Sequence, residues 1–136
     1  MTDPVDARVV GDHLAARESE MSALLTELVD IESPSHDAGA QVAVRTRIAA
    51  ELDSVGMRTR VVPGRGVGDH LFARPAHRRR HLPVQLALGH IDTVWPLGTT
   101  ARRPTELAGG RLSGPGSFDM KAGLVQLVFA LRCLSD

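Results

Sequence analysis

Two stretches early in the chain carry the hydrophobic spacing of amphipathic helices. Over residues 5–31, apolar side chains recur at intervals of three, four and seven, which aligns them along one side of a helix. Residues 39–55 repeat this spacing, and Gly56 follows them as a C-terminal cap. Pro34 lies among turn-forming residues between the two stretches and stops the first helix. We therefore predict two helices, over residues 5–31 and 39–55.

The middle of the chain carries strand patterns. Residues 57–62 alternate apolar or β-branched side chains with arginines, which predicts a strand with one solvated face. Residues 70–74 give a weaker strand signal. Residues 83–88 are nearly all apolar, as expected of a strand covered on both faces, and Gly89 ends them. We predict that residues 83–88 form the central strand.

The last third of the chain predicts a hairpin and a buried helix. Gly109 and Gly110 separate two short segments, which is typical of a two-residue hairpin turn. Residues 121–134 are apolar around most of a helix circumference. The order of elements indicates an α/β fold in which helices pack on a mostly parallel or mixed sheet. A helix that is apolar all round needs cover on all sides, so we expect an exposed apolar patch on it or an unpaired edge of the central strand, with self-association as the consequence.

The composition of the chain limits the classes of partner that the protein can bind. The chain has 136 residues, 16 basic and 16 acidic side chains and 3% aromatics, as in a single neutral domain with little to attract nucleic acid. The basic run at residues 78–80 is better explained as a solvated loop. Cys133 is the only cysteine, the start is polar, and the longest apolar stretch is too short to cross a membrane. We expect a cytoplasmic protein without nucleic-acid or membrane partners.

The first candidate for chemistry is the tripeptide His90-Ile91-Asp92, which directly follows the predicted central strand. Ligands of α/β sheets bind at the carboxyl ends of the strands. Side chains two apart in an extended segment point the same way, so His90 can bind a metal while Asp92 orients its imidazole. Because the chain contains six histidines, an accidental pair with a structural His90 stays open.

The second candidate is the glycine-rich loop at residues 114–123, which leads into the last helix. A phosphate loop needs Gly-Lys followed by Ser or Thr, whereas Lys121 stands between Met120 and Ala122, so this sequence is not of that kind. Asp119 is either an acidic residue favoured by the helix dipole or a metal ligand.

Together the two loops resemble a known family. The segments LGHIDTVWPLGT, at residues 88–99, and LSGPGSFDMKAG, at residues 112–123, are similar to the M20 family of dinuclear zinc peptidases and amidohydrolases, and within it to the glutamate-releasing carboxypeptidase branch. Residues 31–35 match more weakly. The resemblance implies that residues 1–136 are the N-terminal part of a single catalytic domain of the phosphorylase/hydrolase-like fold, without the lid or dimerisation domain.

The resemblance also implies roles for individual residues. His90 would bind one of two zinc ions, Asp119 would bridge both, and Asp92 would be the catalytic acidic residue that orients and tunes the site. The substrate would be a small peptide or N-acyl amino acid, cleaved at an amide bond next to a free carboxylate. The resemblance further implies a cis peptide bond between Asp119 and Met120.

The sequence departs from the family pattern because several of the family's catalytic and metal-binding residues are not found in residues 1–136. The paired glutamates, of which one is the general base and the other a ligand, come further along the family's chain than residue 136, as does the last histidine ligand. We therefore expect a metallohydrolase by family that is inactive as this fragment alone. The alternative is a standalone non-catalytic remnant or partner-binding module.

Overall fold

The computed structural model describes residues 7–77 and 81–135, so the basic run at residues 78–80 lies outside the described residues. Five α-helices and four strands follow one another along this part of the chain. The helices are α1 (Ala7–Ala15), α2 (Glu18–Asp30), α3 (Gln41–Ser54), α4 (Thr99–Arg102) and α5 (Ala122–Ser135). The strands are β1 (Met57–Val62), β2 (His70–Pro75), β3 (Glu106–Ala108) and β4 (Arg111–Ser113).

The predicted helices are present, with one break. The described part of the stretch 5–31 forms α1 and α2 instead of one helix, because the backbone leaves the helical region at Arg17, with φ of −112° and ψ of 13°. The stretch 39–55 forms α3, and the stretch 121–134 forms α5. The short helix α4 had no periodic signal in the sequence, since four residues are too few to show one.

Two antiparallel strand pairs make up the sheets of the described residues. Strand β1 pairs with β2 in a register that places Met57 opposite Pro75 and Val62 opposite His70. Strand β3 pairs with β4 across Gly109 and Gly110, whose φ angles of 58° and 74° suit the predicted two-residue hairpin turn. The α/β class is thus confirmed, with small antiparallel sheets in place of a larger parallel one.

The predicted central strand at residues 83–88 is wrong. This segment forms no strand in the described part of the chain, and its side chains are exposed, with Leu86 78% and Leu88 83% accessible. A buried strand needs hydrogen-bonded neighbours on both edges and covering layers on both faces, and neither is present among the described residues. The expectation of an unpaired central strand edge is therefore wrong as well, because the segment forms no strand, although its apolar side chains are exposed.

The hydrophobic core lies between three helices. Helix α5 packs on α2, and α3 packs on the β1–β2 pair. The buried apolar side chains come from α2, α3 and α5: Leu24, Leu28, Val44, Ile48, Leu52, Leu124, Val125, Val128 and Phe129. Glu51 on α3 joins the helices at the edge of the core through ion pairs with Arg47 and Arg132. In the described part of the chain, no helix combines the length and the apolar character that crossing a membrane requires.

Lys121 is the only lysine of the sequence, and it is fully buried. Its Nζ donates hydrogen bonds to the carbonyl oxygens of Leu28 at 2.8 Å and Ile31 at 2.7 Å. These carbonyls end α2, where a helix lacks intrahelical donors and favours positive charge. Burial lowers the pKa of Lys121 to about 8, against the opposing effect of two nearby carboxylates. One side chain thus fastens the start of α5 to the end of α2.

Replacing Lys121 with Met, which has nearly the same length, is expected to lower the free energy of unfolding by about 2–4 kcal/mol. Two buried carbonyl oxygens would lose their donor, and each unsatisfied acceptor costs about 1–3 kcal/mol. Urea denaturation measures the change, with Arg111→Met on exposed β4 as the control. Equal stability of the two variants would contradict the anchoring role of Lys121.

Candidate metal site

The segment that carries His90 and Asp92 is fixed by residues 33–35. The hydroxyl of buried Ser33 donates to the Ile91 carbonyl at 2.8 Å, and the Thr93 amide donates to the Ser33 carbonyl at 2.8 Å. The Ser35 amide in turn donates to the Thr93 carbonyl at 2.9 Å. These bonds form an isolated parallel bridge between Pro34 and Thr93. The backbone on both sides of Asp92 is therefore held in place.

Neighbouring side chains extend this support. Gln41 on α3 donates to the Pro34 carbonyl at 2.9 Å, which steadies the bridging segment. The Glu32 carboxylate accepts the amide of Thr100 at 2.8 Å and that of Gly98 at 2.7 Å, and these two hydrogen bonds lower the pKa of Glu32. Glu32 thus holds the start of α4, just beyond the loop that carries the candidate site.

The second loop of the site approaches the first one closely. A Cβ atom on Gly116 would lie 2.4 Å from Thr93 Cγ2, so only glycine permits this approach, and its φ of 75° also suits glycine. The backbone then kinks at Asp119 and Met120, and the peptide bond between them is cis, as the resemblance implies. The His90 amide donates to the Met120 sulfur at 3.3 Å, which joins the two loops directly.

The three predicted site residues come together where the loops meet. His90 Nε2 lies 2.9 Å from Asp119 Oδ1, and His90 Nδ1 lies 2.9 Å from the Asp92 carbonyl oxygen. The Asp92 carboxylate is further from Nδ1, at 3.5 Å. All three residues line an open cleft of about 590 Å³, and the Asp119 side chain is 80% exposed. The sequence predicted the Asp92 side chain as the orienting group, whereas its backbone carbonyl makes the closest contact.

The two contacts of the His90 ring limit the protonation states in which both are favourable. A carbonyl oxygen only accepts, so Nδ1 must carry a proton to bond to Asp92. In a neutral ring, Nε2 is then an acceptor that faces a carboxylate oxygen at 2.9 Å, and two acceptors repel each other. The contact is favourable when a cation sits there, either a second proton on His90 or a metal ion.

The charges around His90 favour its protonated form. Partial burial opposes a charged ring, but the hydrogen bond to Asp119, the Asp92 carbonyl and the charges of both carboxylates together raise the pKa of His90. The negative surroundings that favour a proton on the ring also favour a metal cation. Within residues 7–77 and 81–135, however, no three His, Cys, Asp or Glu side chains converge as a complete metal-binding group.

Two sets of contacts at the cleft were not predicted from the sequence. Trp95 lines the cleft, and the Arg103 guanidinium lies over its ring, 4.8 Å from the ring centroid. Ser33 and Ser35, which hold the first loop, lie 58 residues from their partners along the chain. No local sequence pattern predicts contacts over such a separation. For Ser33 and Ser35, the weak family match at residues 31–35 was the one indication in the sequence.

Comparison with known proteins identifies a family match and a relative for this chain. Residues 86–136 match the family described as Peptidase family M20/M25/M40, and this range includes His90, Asp92 and Asp119. Carboxypeptidase G2 from Pseudomonas sp. (strain RS-16) is 30% identical to this chain over 115 residues, which cover 82% of the chain. The aligned part spans 27% of the length of that relative. Residues 86–136, which carry both loops of the cleft, thus belong to the M20 peptidase family, and the similarity to this relative extends over most of the chain.

Proposed function

We propose that this chain is the N-terminal, metal-binding part of the catalytic domain of a zinc-dependent metallopeptidase or amidohydrolase. Its substrate would be a small peptide or N-acyl amino acid, cleaved at an amide bond next to a free carboxylate, as in a carboxypeptidase. The observation that carries the proposal is the 2.9 Å contact between His90 Nε2 and Asp119 Oδ1, which calls for a cation. The similarity to Carboxypeptidase G2 supports the reaction class.

The donor atoms of the two loops fit zinc. Zinc binds neutral imidazole nitrogen and carboxylate oxygen, each at about 2.0–2.2 Å, so two tetrahedral ligands lie about 3.3 Å apart. The observed 2.9 Å separation requires only a small opening. His90 and Asp119 would thus hold one ion, and the exposed Asp119 carboxylate has a further oxygen with which to bridge to a second.

The residues around His90 and Asp119 would orient these two side chains for metal binding. The Asp92 carbonyl keeps the proton of the neutral ring on Nδ1, which leaves the Nε2 lone pair directed at the metal position. The nearby Asp92 carboxylate increases the basicity of the ring. When bound, zinc supplies Lewis-acid polarisation of a substrate carbonyl and makes water easier to deprotonate. The hydrogen bonds of Ser33 and Lys121 hold the two loops and so keep His90 and Asp119 in position relative to each other.

We also propose that this stretch is inactive by itself. Hydrolysis of an amide needs a group that removes a proton from water and returns it to the leaving amine. Among the described residues that line the cleft there is no glutamate; of the two acidic side chains there, Asp119 is assigned to the metal and Asp92 to the orientation of His90. We further propose that the protein lies in the cytoplasm, because the thiol of Cys133 is free, as is usual for cysteines in a reducing compartment.

Zinc affinity tests the ligand assignment. We expect His90→Ala and Asp119→Asn each to weaken zinc binding at least tenfold, because each removes one of two protein ligands from the site. Asp92→Asn should weaken it less, since the backbone carbonyl that orients the ring remains. Competition with a chromophoric chelator measures the affinities, with His70→Ala on β2 as the matched control.

Equal affinity of His90→Ala, Asp119→Asn and the control would contradict the metal site. The zinc-loaded chain is expected to hydrolyse N-acyl amino acids no faster than the buffer does. Zinc-dependent turnover that is lost in His90→Ala would confirm the site but overturn the proposed inactivity.

A second candidate function is self-association, which the unpaired segment 83–88 favours. Its side chains Val84, Leu86 and Leu88 are exposed at alternate positions, as on one face of a strand. A long apolar segment with free backbone donors and acceptors is a template for pairing with another chain. We propose that the occupant is the same segment of a second copy.

Leu86→Lys is expected to shift the protein toward the monomer, because it places a charge in the middle of the pairing face. Sedimentation velocity over a concentration series measures the change. Leu107→Lys, which alters an exposed apolar residue of the β3–β4 hairpin, serves as control. A concentration-independent monomer in the unaltered protein would refute this candidate.

A further inference from the structure

The outer face of the β1–β2 hairpin carries three exposed arginines. Residues directly opposite each other in an antiparallel pair share a face, as do residues two apart along one strand. The register therefore places six side chains on this surface, which we call the arginine face: Arg58, Arg60, Val62, His70, Phe72 and Arg74. The other face of the hairpin packs against the core through Met57, Leu71 and Ala73. The arginine face is thus turned away from the core and contains no acidic side chain.

The positive charge of the arginine face is not balanced within residues 7–77 and 81–135. Several arginines elsewhere in the chain pair with acidic side chains, whereas the three of this face form no ion pair in that part of the chain. The Arg60 guanidinium lies over the Phe72 ring, 4.8 Å from its centroid, and this contact orients the cation without neutralising it. Arg58 stands directly opposite Arg74, and like charges so placed destabilise a strand pair. A bound anion would relieve this repulsion.

The spacing of the arginines favours a particular kind of anion. A strand rises about 3.4 Å per residue, so Arg58 and Arg60 follow each other at about 6.8 Å along β1. An extended peptide with acidic side chains at every second position repeats its carboxylates at the same interval on one face. A guanidinium also matches a carboxylate in shape, because it can donate two parallel hydrogen bonds. An extended acidic peptide therefore complements the arginine face in charge and in spacing.

A nucleic acid fits the same face less well. The chain has no net charge, so it lacks the long-range attraction that brings proteins to a phosphate backbone. Single-stranded nucleic acids also bind through rows of aromatic rings on which their bases stack. Phe72 is the one aromatic side chain among the six of the arginine face, and Arg60 already lies over its ring. These observations favour a peptide.

We propose that the arginine face binds an extended acidic segment of a partner protein, with glutamate or aspartate at alternate positions. One carboxylate lies between Arg58 and Arg74, and the carboxylate two residues further along the segment pairs with Arg60. The exposed part of Phe72 contacts the aliphatic portion of an acidic side chain. This binding does not depend on the proposed metal chemistry, since none of the six residues is among those that line the cleft of His90 and Asp119.

An NMR titration of the ¹⁵N-labelled chain with two heptapeptides of identical composition tests this proposal. In acetyl-TTETETT-amide both glutamates lie on one face of an extended peptide, whereas in acetyl-TTTEETT-amide they point to opposite faces. We expect the first peptide to bind about threefold more tightly, which is the effect of one additional exposed ion pair. The shifted amide signals should be those of β1 and β2.

Arg60→Gln should remove the preference for the first peptide, because one carboxylate position then remains. Arg111→Gln on exposed β4 loses the same charge and should retain the preference. The spectrum of each variant shows that the fold is kept. Equal binding of the two peptides by the unaltered protein, or an unchanged preference in Arg60→Gln, would overturn the proposal.

The same spectra test the other occupants of the arginine face. Shifts of the hairpin amides that grow with protein concentration alone would assign the face to a second copy of the chain. Shifts caused by a short oligothymidylate, or loss of the hairpin signals on phosphatidylserine vesicles, under conditions in which neither peptide binds, would assign it to a nucleic acid or a membrane. Each of these results would overturn the acidic peptide as the partner.

Discussion

The end of helix α2 and the segment that follows it hold both loops of the candidate site. The carbonyls of Leu28 and Ile31 accept hydrogen bonds from Lys121, and Ser33 is hydrogen-bonded to the loop of His90. Neither loop belongs to a sheet in the described residues, so these buried polar contacts replace a sheet as the support. Buried donors and acceptors that are all satisfied fix one arrangement, because each broken bond leaves an expensive unpaired group.

This support brings together groups that would otherwise separate. His90 and Asp119 lie 29 residues apart, and while Nδ1 donates its proton to the Asp92 carbonyl, the contact between Nε2 and Oδ1 is favourable only with a cation between these atoms. The Asp92 carbonyl fixes the ring orientation from the other side, and the glycine at position 116 permits the close approach of the loops. The site is therefore organised in advance for a positive charge, as the proposed metal-binding role requires.

The sequence allowed prediction wherever local periodicity or a short motif decides the structure. The spacing over residues 39–55 located α3, the arginine alternation located β1, and Gly109-Gly110 located the second hairpin. The family resemblance placed His90, Asp92 and Asp119 in one site, where the structure brings them together.

Long-range contacts decided the rest of the structure. Residues 83–88 have the composition of a buried strand, but a strand requires partners, and none pairs with them in the described part of the chain. The contacts of Ser33 with Ile91 and of Lys121 with Leu28 span 58 and 93 residues, distances over which no periodicity extends. The contact of the Asp92 carbonyl with His90 could not be predicted either, because every residue has a carbonyl group and only the fold determines which one lies beside the ring.

The most direct test of the metal site is anomalous diffraction at the zinc absorption edge from crystals of the protein grown with zinc. The predicted result is an anomalous peak within bonding distance of both His90 Nε2 and an Asp119 carboxylate oxygen, with Nδ1 still bonded to the Asp92 carbonyl. A structure in which zinc binds elsewhere, while His90 keeps its direct hydrogen bond to Asp119, would show that the cation in this contact is a proton and would contradict the metal site.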